Sequence, residues 1–579
     1  MVSGTNIVDT GDLTHMKRKW GGEVTIWPSL LKNLLSPDMG AKLYFLRGDQ
    51  ALYPGFADSH AHVLGYGSSK QLSLSGASSI DEVVQRTHDY VRSHPDLSSN
   101  GWIEGYGWDQ NLWPEQHYPT SESLDSPVLR DRLIVLYRVD VHALWVSPKV
   151  LELLRDSLPS EVDGGIIVRD GLGNPTGVFV DNAMALVEAI KPEWNEEQMF
   201  EFLKTTVRDA VRFGLTSIHD ASTYPFMIRF FRRMADQNLL PIRLYLMAHL
   251  DDSEYWGDKI HPIADHPSGN LAMRSVKLFS DGALGSFGAA LFEPYFDNNN
   301  TRGTLIYPPS TISSLIESFV ANGWQTNVHC IGDRANHLVL NAFEKAINNE
   351  ASVIQREFAS SLGPSTSQTK HDREFFIALA GNKLRLRLEH AQIMTRGDIE
   401  RAGRLGVIAS IQPTHATSDM SYAEQRLGPE RIRGAYAWQS LYQWVCFVSL
   451  PAKSTSHILH HSAGARLALG SDAPVESLNP LKGFYAAVTR LWPNGDSPHG
   501  PGGWYPSERL TRFQTLKAMT LNAAYASFSE NKLGSLVPGK LADFVILSKD
   551  IMTVPQQEIL EAKVAATVVG GKLVYGSLH

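Results

Sequence analysis

The chain has 579 residues, 43% of them apolar and 20% charged, with a net charge of −8. It is long enough for a large core and more than one structural unit, and its acidic balance excludes a general attraction to nucleic acid or to an anionic membrane. Only two cysteines occur, Cys330 and Cys446, which excludes a disulfide framework and a cysteine-based zinc site and fits a reducing, cytoplasmic location; no stretch reaches the roughly 18 apolar residues of a membrane span.

Residues 1–54 offer two strand candidates, Val24-Thr25-Ile26 and Lys42-Leu43-Tyr44-Phe45-Leu46, with a turn at Gly48-Asp49. An apolar run from Tyr53 then ends in His60-Ala61-His62. Alternate side chains of a strand point the same way, so this spacing aims two imidazoles at one point, a geometry suited to a divalent metal.

Residues 66–205 read as an insertion after this first strand. Ile80 to Arg92 has the period of an amphipathic helix behind a Ser78-Ser79 cap. Residues 101–113 are rich in glycine and aromatics. Leu133 to Tyr137 is a strand leading to Asp140-Val141-His142, and Gly164-Gly165 and Gly173 to Gly177 read as hairpin turns. The segment suits a lid, with Trp108, Asp109 and His142 as its site-facing candidates, or a subdomain that only packs.

A strand–helix rhythm follows. Strand candidates are 216–220, 242–246, 275–279, 325–329, 385–390, 407–412 and 466–472, separated by helical patterns such as Met199 to Phe213, Ile312 to Asn322 and Ala335 to Asn348. With the His60/His62 strand they make eight βα units, the pattern of an α/β (β/α)8 TIM-type barrel over residues 55–529. Residues 530–579 change character: Ala542 to Leu547, Val564 to Val569 and Lys572 to Tyr575 are short strands with a Gly570-Gly571 turn. They are expected to join residues 1–54 in a small flanking β-sandwich built from both chain ends. The N-terminal share is short for a full sandwich, so an incomplete or divergent start is expected.

Functional residues of such barrels sit at the C-terminal strand ends. Read in order, those ends carry His60 and His62, Lys277, His329, His390 and Asp472, on strands one, four, five, six and eight. A barrel gathers them although they span more than 400 residues. Each has a structural alternative. His390 could pair with Glu389, and Asp472 could cap a helix before Pro474. Lys277 is costly if buried unless it is neutralised or used; with a lowered pKa it can take up carbon dioxide as a metal-bridging carbamate. Beside a metal and its water, Asp472 is the candidate general base and acid. His415 and Gln412 end strand seven as candidates for contact with a substrate carbonyl. Asp281 and Asp333 follow ligand-bearing strands and are candidates for orienting them.

These residues carry a resemblance. His60-Ala61-His62 after Pro54-Gly55-Phe56, Lys277-Leu278-Phe279-Ser280-Asp281-Gly282, His329-Cys330-Ile331-Gly332-Asp333-Arg334, Arg387-Leu388-Glu389-His390-Ala391-Gln392, Gln412-Pro413-Thr414-His415 and Gly470-Ser471-Asp472-Ala473-Pro474 together resemble the amidohydrolase superfamily. In particular they resemble its amidohydrolase 3 group, with its YtcJ-like and N-substituted formamide deformylase-like proteins, over roughly residues 50–575. The resemblance implies one or two divalent metals, expected to be zinc. His60, His62 and Asp472 would hold one, His329 and His390 the other, with carbamylated Lys277 between them. It implies metal-bound hydroxide cleaving an amide, formamide or N-acyl C–N bond other than a peptide bond, in a small-molecule substrate, with Asp472 and His415 as catalytic residues. The aromatic run at 102–113 hints at an apolar or aromatic amide, and a homodimer paired through surface helices fits the class.

Two other readings share the scaffold. A deaminase would carry His-x-x-Glu on strand five, where this chain has Gly332 and Asp333 three and four residues after His329; a ligand-binding homologue without activity would keep the fold alone. One stretch departs from the family pattern: the 18 residues 445–462 intervene before strand eight with no helical or strand period. They read as a translated, unspliced intron or as a tolerated surface loop, and as a threat to the placement of Asp472.

Overall fold

The apolar runs that end in histidine, lysine or aspartate become parallel strands of one sheet. They are β1 (Phe56–Ala61), β2 (Leu215–Thr223), β3 (Arg243–Ala248), β4 (Leu271–Phe279), β5 (Gln325–Cys330), β6 (Arg387–His390), β7 (Ile408–Ile411) and β8 (Arg466–Leu469). Strands hydrogen-bond in the order β8-β7-β6-β5-β4-β3-β2-β1. The structure, a computed structural model, describes residues 1–11, 44–95, 101–114, 116–362, 370–443, 446–447, 462–463 and 465–578.

The barrel closes from β8 to β1 through the backbone beyond the strand end. Asp472 N donates to His60 O at 2.6 Å and His62 N to Ala473 O at 2.7 Å. This seam demands a glycine. A Cβ on Gly470 would stand 2.6 Å from His60 N and 2.7 Å from His60 Cβ. Gly470→Ala should therefore push β1 away and weaken both folding and metal retention. A urea midpoint and a metal content equal to wild type would show that the seam tolerates the methyl group.

Helices cover the outside, among them Glu196–Arg212, Pro225–Asp236, Pro309–Ala321, Asp333–Leu362 and Arg396–Leu405. Glu196–Arg212 starts with a capping box in which Asn195 and Gln198 satisfy each other's backbone N–H. Asp333–Leu362 runs well past the predicted end at Asn348. The apolar stripe continues through buried Ile347 and Ala351 to Ile354, and that packing outweighs the weak helix propensity of Asn348-Asn349. Shared side chains of strands and helices make one large core.

The insertion is a five-stranded mixed sheet ordered Trp102–Trp108, Leu133–Arg138, Ala143–Val146, Pro175–Asp181, Gly165–Arg169. It has cores of its own. Its aromatic run is structural: Trp108 and Trp113 are fully buried, with Nε1 donating to Leu136 O and Ala77 O. Trp108 is thus no lid contact, and the hint of an aromatic substrate loses its basis. The helix Ile80–Ser93 starts at its expected cap, Ser79 Oγ accepting from Glu82 N.

On the other flank, Ala51–Pro54, Phe544–Leu547, Val564–Val569 and Lys572–Gly576 form a four-stranded antiparallel sheet. Val2–Ser3 and Asn6–Ile7 pair as a short hairpin, and Ile7 N donates to Lys540 O. The candidate strand at Val24 to Ile26 and residues 42–43 lie outside the described residues, and residues 44–46 are not strand. Of the 18-residue stretch before β8, Cys446–Phe447 pairs antiparallel with Ser462–Ala463, so its two ends meet. Beyond it β8 lies in register on β7, from Ile408↔Arg466 to Ile411↔Leu469. No helix among the described residues is long and apolar enough to cross a membrane.

Candidate metal centre

Strand register sets the site. Phe279, His329 and Glu389 lie side by side across β4, β5 and β6. Period two along β6 puts Arg387 and Glu389 on the barrel's inner face, and His390, the next residue, would point away. A left-handed backbone at His390 (φ 73°) goes with a ring 4.9 Å from that of His60 and 4.4 Å from that of His329. Asp472 is likewise left-handed (φ 60°). Such backbone is uncommon for non-glycine residues, and it occurs at two residues of the cluster.

His60 and His62 do converge. Their Nε2 atoms lie 3.3 and 3.2 Å from the same oxygen, Asp472 Oδ1. Asp472 Oδ2 is 4.0 Å from His390 Nδ1 and 3.6 Å from His415 Nε2. Lys277 Nζ is 3.4 Å from His60 Nε2 and lies over the Phe279 ring. His329 stands farther back, its Nε2 3.7 Å from Asp281 Oδ1. One ligand atom each from His60, His390 and Asp472 falls within 4.8 Å of the others.

Glu389, the partner His390 would have as a purely structural histidine, instead accepts from His60 Nδ1 at 2.6 Å. That bond leaves Nε2 as the atom facing the cluster, the arrangement by which a carboxylate orients a metal-binding imidazole. Gln412 turns back to Ser410 O and does not face the cluster. His415 does, its ring stacked 5.7 Å from that of His390, but it sits in the helix Pro413–Asp419 rather than on β7. Asp333 accepts from Phe292 N and Arg334 N, so it fixes loops and orients no ligand. Asp281 accepts from Ala290, Ile331 and Gly332 N–H, which anchors the turn after β5.

Burial governs the charges. It drives His329 and His390 well below the usual histidine range and lowers Lys277. Neutral imidazole and uncharged amine are the forms that ligate a metal or add carbon dioxide. Burial opposes ionisation of Asp472, yet the surrounding His60, His62 and His390 hold it well below the carboxylate range. Glu389, equally buried, is held at about 2, chiefly by His60.

The donor set fits a divalent cation. His329 Nε2, His390 Nδ1 and His415 Nε2 are buried polar atoms without a hydrogen-bond partner. Buried polar atoms ordinarily find partners, and imidazole and carboxylate are ligands for zinc and its neighbours.

Of the three lid candidates in the insertion, His142 reaches the barrel, held by Asp181, a residue the sequence did not single out. His142 is carried to the barrel mouth, its ring 5.1 Å from that of His329, with Nδ1 on Asp181 Oδ1 at 2.8 Å. Asp109, the other lid candidate, accepts from the buried Arg138, which also binds Asp140 and Gln110. Asp140 in turn accepts from His142 N.

A nearly closed (β/α)8 barrel with histidines and an aspartate converging at its mouth defines a metal-site barrel of the hydrolase kind. The chain belongs to the amidohydrolase family, whose model matches residues 48–575. It is 29% identical over 98% of its length to the putative amidohydrolase YtcJ of Bacillus subtilis, of which it covers 94%. It is 31% identical over 90% of its length to LONG AFTER FAR-RED 3 of Arabidopsis thaliana, covering 82% of that protein. It is 25% identical over 91% of its length to the N-substituted formamide deformylase of Arthrobacter pascens, covering 88%. The fold matches an uncharacterized metal-dependent hydrolase from Pyrococcus furiosus with a TM-score of 0.63 at 24% identity over 95% of both chains.

Proposed function

We propose that the protein is a metal-dependent hydrolase of C–N bonds in small-molecule amides, with N-substituted formamides and N-acyl amines as the first class to test. The observation that carries this reading is the convergence of four histidines on Asp472, His390 Nδ1 and His415 Nε2 among them being buried and unpartnered. In this reading His60, His62 and Asp472 would hold one metal, expected to be zinc. His329 and His390 would hold a second, and Lys277 as its carbamate would be a further ligand. The bound metal supplies Lewis-acid polarisation of the carbonyl and an acidified water. Asp472, kept ionised by its histidine neighbours, accepts the proton of the attacking water. It then delivers that proton to the leaving nitrogen, so one carboxylate serves as base and then acid. His415, 3.6 Å from Asp472, is placed to hold the substrate carbonyl.

The amide reading is favoured over deamination by β5. Gly332 stands three residues after His329 in place of a glutamate, and Asp333 is spent on backbone N–H groups. The test is elemental analysis of wild type beside His60→Ala, with a hydrolysis screen over N-substituted formamides and N-acyl anilines. We expect about one or two zinc per wild-type chain, a clear loss in the variant, and turnover only with metal. Wild type that takes up no metal when zinc and bicarbonate are supplied refutes the reading.

A further inference from the structure

Among the described residues, His142 is the one histidine near the cluster that the barrel does not supply. Several features hold it there. Ala143 pairs with Val180 where two strands of the insertion meet, and Asp181 N donates to His142 O at 3.0 Å. Val141 and Asp181 on either side are both left-handed, with φ of 59° and 50°. The Asp181 carboxylate enters a cradle of glycines after β4: a Cβ on Gly282 would lie 2.5 Å from Asp181 Oδ1, and one on Gly288 2.7 Å from Oδ2. Buried Arg138 fixes Asp140, which accepts from His142 N at 3.2 Å.

The side chain of His142 is 17% exposed, between His415 at 12% and His62 at 28%, and above the 0%, 2% and 4% of His60, His329 and His390. With Nδ1 committed to Asp181, Nε2 is the ring's remaining polar atom. The His142 ring lies 5.1 Å from that of His329, whose own ring is 4.4 Å from that of His390, and His142 is not one of the three residues, His60, His390 and Asp472, whose ligand atoms cluster. A partly exposed imidazole beside that group is placed to meet a bound molecule.

We infer that His142, oriented by Asp181, is a substrate-contacting residue supplied by the insertion, whose Nε2 hydrogen-bonds the amide group of the substrate. The insertion is then part of the binding site and not only a packing subdomain. The inference rests on the metal-dependent amide hydrolase reading above. Asp181 is a positioning residue that acts through His142.

The test uses the zinc-loaded full chain and benzohydroxamic acid, an acyl N–H compound that chelates zinc, with its Kd read by titration calorimetry. Wild type, His142→Ala, His142→Gln and Asp181→Asn are compared, with zinc content and thermal midpoint measured on each sample. We expect zinc content equal to wild type in all three variants. Kd should rise about tenfold in His142→Ala, rise in Asp181→Asn, and recover in part in His142→Gln. Equal Kd for wild type and the zinc-loaded variants overturns the inference, as does a zinc-loaded wild type that does not bind the probe. Loss of zinc in His142→Ala also overturns it, by making His142 a metal ligand. Wild type without zinc sinks the metal-dependent reading and this inference together, whereas indifferent variants of a zinc-loaded wild type sink the inference alone.

Discussion

Replacing Asp472 with asparagine is expected to lower kcat/KM for amide hydrolysis by about 10²–10⁴-fold, the range of a general acid–base group, in a protein that still folds. The substitution keeps the side chain's shape and the backbone seam, in which Asp472 N donates to His60 O. What it removes is the charge. Four histidines face that carboxylate at 3.2 to 4.0 Å, so the loss is felt by every one of them. Asp472 is also a metal ligand in the proposed reading, and one sample separates its two roles. If the metal stays and turnover falls, the proton-transfer role is the larger. If the metal leaves as turnover falls, ligation is. Turnover within a few-fold of wild type would remove Asp472 from the mechanism.

How far the site could be read in advance follows from where each residue sits on its strand. The barrel was legible because each strand is a short apolar run with a polar end, and because helical periods lie between the runs. His60 and His62 were legible for the same reason, being spaced as same-face residues of one strand. Partnerships across the barrel were not legible. On β6, alternation cannot send both Glu389 and His390 inward, and no local signal announces the left-handed turn at His390 that brings its ring back. The sequence neighbours Glu389 and His390 looked like a pair, whereas Glu389 belongs to His60, 329 positions earlier.

The insertion was legible only in part: His142 was one of three lid candidates, and nothing local set it apart from Trp108 and Asp109. Its tryptophans were the visible feature, but they make its core, with their indole N–H groups on backbone carbonyls. The residue that reaches the barrel is His142. Its signal lay in three separate places: a strand end at 142, another at 181, and the glycines at 282 and 288 that admit the Asp181 carboxylate. Only pairing in three dimensions joins them. The 18 residues before β8 threatened Asp472 on paper. Their ends pair with each other, and β8 keeps its register on β7, so the excursion leaves the seam intact.

Arg387→Met is expected to destabilise the fold by about 3–5 kcal/mol, the cost of breaking a buried ion pair by removing one partner. Arg387 is fully buried inside the barrel, below the site. Its guanidinium donates to Ser59 O at 3.2 Å and Ala526 O at 2.9 Å, meets His219 Nδ1 at 3.2 Å, and lies 3.3 Å from Glu389 Oε1. It ties β6 to β1, to β2 and to the helix ending at Ala526. Methionine fills comparable space but leaves the Glu389 carboxylate with His60 as its remaining ionic partner and takes a donor from Ser59 O and from Ala526 O, the latter keeping Gln325 Nε2. The penalty therefore lies in the charge left behind, and the double variant Arg387→Met/Glu389→Gln tests this. Neutralising Glu389 should return a substantial part of the loss in urea unfolding, because a buried amide costs less than a buried lone carboxylate. Additive losses in the two single variants would show that the arginine acts through packing alone. A loss under about 1 kcal/mol for Arg387→Met would show that the barrel's inner charges are solvated well enough to be indifferent to their partners. The same carboxylate sets the ring of His60, so the stability of the barrel interior and the aim of its first histidine rest on one chain of contacts, from Arg387 through Glu389 to His60.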